Sequence, residues 1–571
     1  MLPTNFPALP LGLSSPAFDV TSAAIQASFN DLFASVDGRV FSGIPLAYPC
    51  FSNATENGVE CGQVQRQYLN ETFRAANFGA FIETQWETCQ RTGAQCLLDS
   101  SNPTARVAQS GTCDAGSVSS YFIDVRNAAD VSAAFKFSSQ TSIPLVVKNT
   151  GHDYKGRSSA PNSLALWTHN LKNMSYQPAF VPEGCPKKNH LSQPAATFGA
   201  GVQWAEAYEF ADVHNITLVG GSDRSVGVVG GWLQGGGHSV LSNTMGLGVD
   251  RVLQFKVVTP DGIFRVANAC QNEDLFFALR GGGGGTFGVV LEATLLASPA
   301  VTLQAVIVSW SSSNPNRTLT GQLWSVMVDN ALTWAADGWG GFSTSELAIL
   351  VNPVLNSTEA EKSLESLIDF GNVEVKGNEV PGAQVVVTTF ASFLSFFNEF
   401  TLEHVASVGT NLAIASRLID KSTFATESNR TALVSALQRT NDAGPGMIIL
   451  LAPPFSYLSA PAERTSVTEA WRSSVYHVTT IAEWPWDASA DDKRAAYRQV
   501  STAVDTIREI TPDAAYQNEA DVYEPNHEVA FWGSHYAELL RIKQKYDPQH
   551  LLDCWHCVGW NPNSSRFSCY L

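Results

Sequence analysis

Five consecutive glycines at 281–285 separate a helical stretch at 272–280, NEDLFFALR, from a β-branched run at 289–295. The order is what constrains the fold. A dinucleotide-binding βαβ unit places its glycines after a strand and before a helix, so that the helix N-terminus meets the pyrophosphate. Helix, glycines, strand is the reverse order, and it excludes a nicotinamide dinucleotide held on a Rossmann fingerprint.

Two further stretches belong with this one. Residues 220–239, GGSDRSVGVVGGWLQGGGHS, leave a backbone with few side chains, suited to lying against a large flat or phosphorylated ligand through main-chain N–H groups. Val226, Val228, Val229, Trp232 and Leu233 are interleaved, an apolar content that a solvated linker does not carry. Residues 144–158, PLVVKNTGHDYKGRS, read as a buried strand ending in a polar turn. In that turn Gly151 lets the backbone approach a ligand closely beside His152, and Thr150 and Asp153 supply polar groups.

With the tail at 515–560, these stretches resemble the flavoproteins of vanillyl-alcohol-oxidase type with a PCMH-type FAD domain, in the berberine-bridge-enzyme-like branch. The nearest likeness is to fungal secreted oxidases and the flavin oxidases of secondary metabolism. RGGGGGTFGVV matches the family pattern without a gap, and Tyr516-Gln517-Asn518 resembles its Tyr-x-Asn motif. The resemblance implies an α+β chain. A PCMH-type FAD-binding domain of two α/β subdomains at 116–298 follows an N-terminal cap at 1–115. An antiparallel-sheet substrate domain covered by helices occupies 299–511, and 512–571 returns to the FAD domain.

The same resemblance assigns cofactor-binding roles to His152, Thr150, Gly151, Asp153, Ser225, Val226, Gly227, Gly230, Gly231 and Gly236. Asp223 stands where doubly linked relatives carry a second flavin-bound cysteine, which predicts a single covalent bond, from His152 to FAD. Val226 falls at the position that controls access of oxygen, where a small aliphatic residue goes with oxidases. The implied activity is oxidation of a CH–OH or similar group of a small molecule, with O2 as electron acceptor and H2O2 as product. Carbohydrate oxidation, ring closure in a natural-product pathway, non-redox use of the flavin, and flavin binding without turnover are the alternatives. Tyr516 is the candidate proton acceptor, and Asn518 the group holding substrate or the flavin carbonyl edge. A phenol near pKa ~10 serves as base at neutral pH only if a neighbour depresses it.

Composition narrows the partners. A net charge of -18 argues against nucleic acid and anionic membrane surfaces, and no apolar run approaches the length that spans a bilayer. Ten cysteines include close neighbours at 50/61, 89/96 and 554/557. With eight N-x-Ser/Thr sequons they point to disulfides and a secretory route, although residues 1–20 do not read as a signal peptide. Cys554-Trp555-His556-Cys557 lacks the second ligand pair that a structural zinc needs, so it reads as structural and no metal is expected.

Overall fold

The computed structural model describes residues 13–14, 23–51, 58–106, 112–186, 192–311, 316–401, 407–444, 446–458 and 464–571. Residues 1–12 of the expected cap and the sequon at Asn53 lie outside them.

A four-stranded sheet begins the first subdomain. Tyr121–Asp124, Leu164–Trp167 and Leu145–Lys148 run parallel, and Val40–Ser42 closes the Tyr121 edge antiparallel. Helix Ala128–Thr141 carries the chain from Tyr121–Asp124 across to Leu145–Lys148, and Leu164–Trp167 then pairs between the two. The helix starts where the Asn127 side chain accepts the N–H groups of Ala129 and Asp130 while Asp130 accepts the N–H of Asn127. It buries Val131, Ala134 and Phe135 against the sheet and against Phe29 and Leu32 of helix Ala23–Ser35. Within the stretch read as an N-terminal cap, helix Ala23–Ser35 and strand Val40–Ser42 are an integral helix and edge strand of this layer.

The second subdomain is a five-stranded antiparallel sheet in the order Phe264–Asn268, Val252–Val258, Val289–Leu296, Gln193–Gly199, Met174–Phe180. The middle of the chain builds a seven-stranded antiparallel sheet ordered Gln384–Phe390, Leu303–Ser309, Leu347–Asn352, Gly340–Ser343, Ile448–Leu451, Ser474–Trp484, Asn411–Asp420. Its two faces follow the two-residue period of strands. Val306, Val308, Ala348 and Leu350 pack under helices Arg317–Ala336 and Glu427–Ala443, whereas Ala305, Ile307, Ile349 and Val351 join the core shared with the second subdomain.

Residues 512–571 pack back against the earlier part of the chain. Helix Tyr536–Tyr546 buries Leu539, Ile542 and Tyr546, and Lys543 Nζ donates to the Thr286 carbonyl at 2.7 Å. Tyr570 Oη donates to Lys155 O at 2.7 Å, so the tail is fastened behind the His152 loop.

All ten cysteines are paired, as Cys50–Cys61, Cys89–Cys569, Cys96–Cys113, Cys185–Cys270 and Cys554–Cys557. Cys89 and Cys96 are neighbours in sequence with different partners. Cys89–Cys569 closes a separation of 480 residues and pins the tail to the N-terminal segment. Replacing both its cysteines by alanine is expected to cost about 2–4 kcal/mol through the freed denatured chain. Differential scanning calorimetry of the double variant checks it, as an earlier transition.

Candidate active site

One cleft gathers residues from both FAD-domain sheets and from the returning tail. Its floor is the loop that leaves strand Leu145–Lys148. Gly151 there has φ 91, and a Cβ would stand 3.1 Å from Ala80 O, so only glycine turns the chain this tightly. Asp153 spends its carboxylate inside the loop, accepting from Lys155 N at 3.1 Å, Ser158 N at 2.6 Å and Ser158 Oγ at 2.7 Å. The turn is rigid for that reason, and it presents His152.

His152 is fixed through one nitrogen. Its Nε2 lies 2.6 Å from Ser225 Oγ and 3.4 Å from Asp223 Oδ1. Ser225 gives both its N–H, at 2.8 Å, and its hydroxyl, at 3.0 Å, to that same carboxylate oxygen. A hydroxyl has one proton, so with that proton on Asp223 the Nε2–H donates to Ser225 Oγ. Nδ1 then carries the lone pair, and among the described residues it has no hydrogen-bond partner. Burial pushes the imidazolium down, keeping the ring neutral. Behind Asp223, burial and the Asp223 charge push Glu71 up to about 8.

The glycine-rich stretch explains its composition by what it wraps. A Cβ at Gly227 would fall 1.8 Å from Asn149 Oδ1, one at Gly235 2.3 Å from Asn518 Oδ1, and one at Gly236 3.2 Å from the Tyr516 ring. A Cβ at Gly284 would meet Gly231 Cα at 2.9 Å, so the two glycine loops cross backbone to backbone. At Gly231 itself nothing lies within 4 Å.

Of the residues expected at the site, Thr150, Gly151, His152, Asp153, Val226, Gly227, Gly230, Gly231, Tyr516 and Asn518 line the cleft. Ser225 and Gly236 do not. Ser225 stands behind His152, and Gly236 packs on Tyr516. The Tyr516 hydroxyl accepts from Gly237 N at 3.1 Å and Asn518 Nδ2 at 2.6 Å, while Asn518 Oδ1 accepts from Arg157 at 2.9 Å. Burial, and then the Glu519 charge, raise the phenol pKa above the ordinary value and outweigh the opposing pull of Gly237 N, Asn518 and Arg157. Tyr516 is thus a hydrogen-bonding wall of the cleft, its hydroxyl accepting from two donors.

Three groups at this wall do not stand out in the sequence. Glu519 receives His238 Nε2 at 2.9 Å on Oε1 and His477 Nε2 at 2.8 Å on Oε2. His238 comes from the glycine-rich stretch, His477 from strand Ser474–Trp484, and Glu519 follows the Tyr-x-Asn motif. The two imidazoles hold the Glu519 carboxyl far below the ordinary carboxylate range.

The cleft suits a large planar cofactor by two observations of its own. Asn149 Oδ1 is buried without a partner at the cleft wall, and the Gly231 main chain faces open space. Fold and site define a flavin-dependent oxidoreductase with a PCMH-type domain. The FAD binding domain family matches residues 119–268, and the family described as berberine and berberine like matches residues 515–554. An FAD-linked oxidoreductase of Aspergillus flavipes is 36% identical over 94% of this chain and 93% of its own. A VAO-type flavoprotein oxidase of Thermothelomyces thermophilus is 32% identical over 94% and 91%. The crystal structure of a VAO-type flavoprotein from Myceliophthora thermophila C1 superposes with a TM-score of 0.81 at 26% identity, covering 96% of this chain and 97% of that one. The chain belongs to the FAD-linked oxidoreductases of the vanillyl-alcohol-oxidase type, in the berberine-bridge-enzyme-like branch.

Proposed function

We propose that this protein is a secreted oxidase of small CH–OH compounds, with FAD joined to the chain by one bond, to His152. When bound, FAD supplies the hydride acceptor, and its reoxidation by O2 gives H2O2. The chain's own residues do the rest. The glycine cradle and Asn149 hold the cofactor, Ser225 and Asp223 present His152 Nδ1, and Tyr516, Asn518 and Arg157 form a polar wall that orients a hydroxyl.

The observation that carries the reading is one cleft holding both a neutral imidazole with a free Nδ1 and the Tyr516–Asn518 pair. The relatives named as an oxidase and an oxidoreductase support the reaction class. Five disulfides support the secretory route, as do the sequon asparagines Asn70, Asn173, Asn215, Asn316, Asn356, Asn429 and Asn563, all exposed.

Anaerobic mixing with a panel of primary, secondary and benzylic alcohols tests the activity. Bleaching of the flavin, followed by recolouring and peroxide on admitting air, is expected; bleaching without prompt recolouring would make the protein a dehydrogenase. The oxygen step has its own test. Val226 lines the cleft, so Val226→Phe is expected to slow reoxidation of dithionite-reduced flavin by about tenfold or more, a barrier increase near 1.4 kcal/mol. Stopped-flow absorbance against oxygen concentration measures it.

A further inference from the structure

Building on the oxidase reading, we infer that His238 takes the hydroxyl proton of the substrate through Nδ1, with Glu519 and His477 as its positioning residues. Glu519 accepts at both oxygens, so each histidine presents Nε2–H to it. The tautomer of His238 is therefore set. Its lone pair lies on Nδ1, which has no hydrogen-bond partner among the described residues, and His238 lines the cleft beside Tyr516.

His477 is wholly buried, and its Nδ1 has no partner either. A bare lone pair there costs less than an unpaired N–H or a buried imidazolium, which keeps this ring neutral and donating from Nε2. Burial pushes its imidazolium down in the same sense. One carboxylate oxygen is thus satisfied by a neutral donor, and the negative charge is left for His238. Proton uptake at Nδ1 turns the His238–Glu519 contact into an ion pair, the logic by which a carboxylate supports a catalytic histidine. The other titratable or charged groups around His238 are His477, Tyr516, whose ring centroid is 5.3 Å away, and Arg157, held on Asn518.

Of the other cleft groups, Asp223 is engaged with Ser225 and His152 through Oδ1, its Oδ2 being unpaired. His152 is directed at the cofactor, Asp153 is occupied within its own loop, and the Tyr516 phenol is held protonated by burial. In the step itself the substrate O–H bond breaks and an N–H bond forms on Nδ1. The electron pair left on oxygen becomes the second bond of the carbonyl as the hydride departs from carbon.

The test has two arms on the holoenzyme. Diethyl pyrocarbonate acylates neutral imidazole, and peptide mass mapping against pH reports each histidine. Modification of His238 but not His477 is expected, with the His238 midpoint moving to lower pH in E519Q by about one unit or more. An unreactive His238, or a midpoint that E519Q leaves in place, overturns the proposal. So does one equivalent of transition metal found by elemental analysis and lost in E519Q, because a metal on Nε2 moves the proton to Nδ1.

In the second arm, H238Q and E519Q are expected to reduce their flavin with the alcohol panel at least about 10²-fold more slowly than wild type. Their flavin content and dithionite reduction are expected to match wild type. H238Q reacting at the wild-type rate overturns this proposal alone. A wild-type flavin that no alcohol bleaches brings down the CH–OH reading on which it rests.

Discussion

Denatured in acid and precipitated, the wild-type protein is expected to keep its flavin in the pellet, and His152→Ala to release all of it to the supernatant. Intact mass is expected to give one FAD per wild-type chain and none on the variant. The expectation rests on which imidazole nitrogen is free. Ser225 Oγ, at 2.6 Å, occupies Nε2, and burial keeps the ring neutral, so Nδ1 is a nucleophile facing the cleft. All ten cysteines are paired, so no free thiol is left for a second bond and one linkage is expected. Ser225→Ala removes the acceptor that fixes the tautomer, and a mixed population of linked and unlinked chains is expected. A colourless pellet from yellow wild-type protein would show that FAD is held without a bond. In that case His152 serves as a cleft wall.

The stretches that carry the cofactor are legible in the sequence because they are local. RGGGGGTFGVV, the Gly-His turn and the Tyr-x-Asn tail each hold their meaning within about a dozen residues, and the structure brings all three to one cleft. His238 is in plain view, inside the run Gly235-Gly236-Gly237-His238, but the glycines mask it because they alone explain a close-lying backbone. Glu519 needs His477, 42 residues upstream, to become more than a polar residue after a motif. A long-range pair of that kind leaves no periodic trace in a single sequence. The disulfides show the same limit. Cys554–Cys557 is visible as spacing, whereas the separation of 480 residues between Cys89 and Cys569 is set by where the tail lands. Helix Arg317–Ala336 is a different case. Its buried Leu319, Leu323, Trp324, Met327, Val328, Ala331, Trp334 and Ala335 keep helical spacing, so the signal is present in a segment whose β-branched neighbours draw attention to strands.

Arg417→Met is expected to cost roughly 3–5 kcal/mol, more than opening the Cys89–Cys569 bridge. Arg417 is wholly buried on strand Asn411–Asp420. Its guanidinium donates to both oxygens of Glu524 at 2.7 Å and to Asp513 Oδ1 at 3.0 Å. Arg508 approaches Glu524 only at 3.3 Å and is itself shared with Asp505 and Asp513. Removing Arg417 therefore leaves a buried carboxylate short of its main counter-charge. An apparent melting temperature lower by about 2–4 °C is expected in calorimetry. Removing both charges, as Arg417→Met with Glu524→Met, is expected to restore much of the loss, because the uncompensated charge goes with the pair. Equal melting temperatures for the single and double variants would contradict this account. The pair also bears on the site. Leu418 is opposite His477 in the strand register, and Glu524 lies five residues beyond Glu519, so Arg417 ties the sheet carrying His477 to the segment carrying Glu519. In Arg417→Met below its melting transition, loosening of that tie is expected to expose His477 to diethyl pyrocarbonate. The double variant is expected to protect it again.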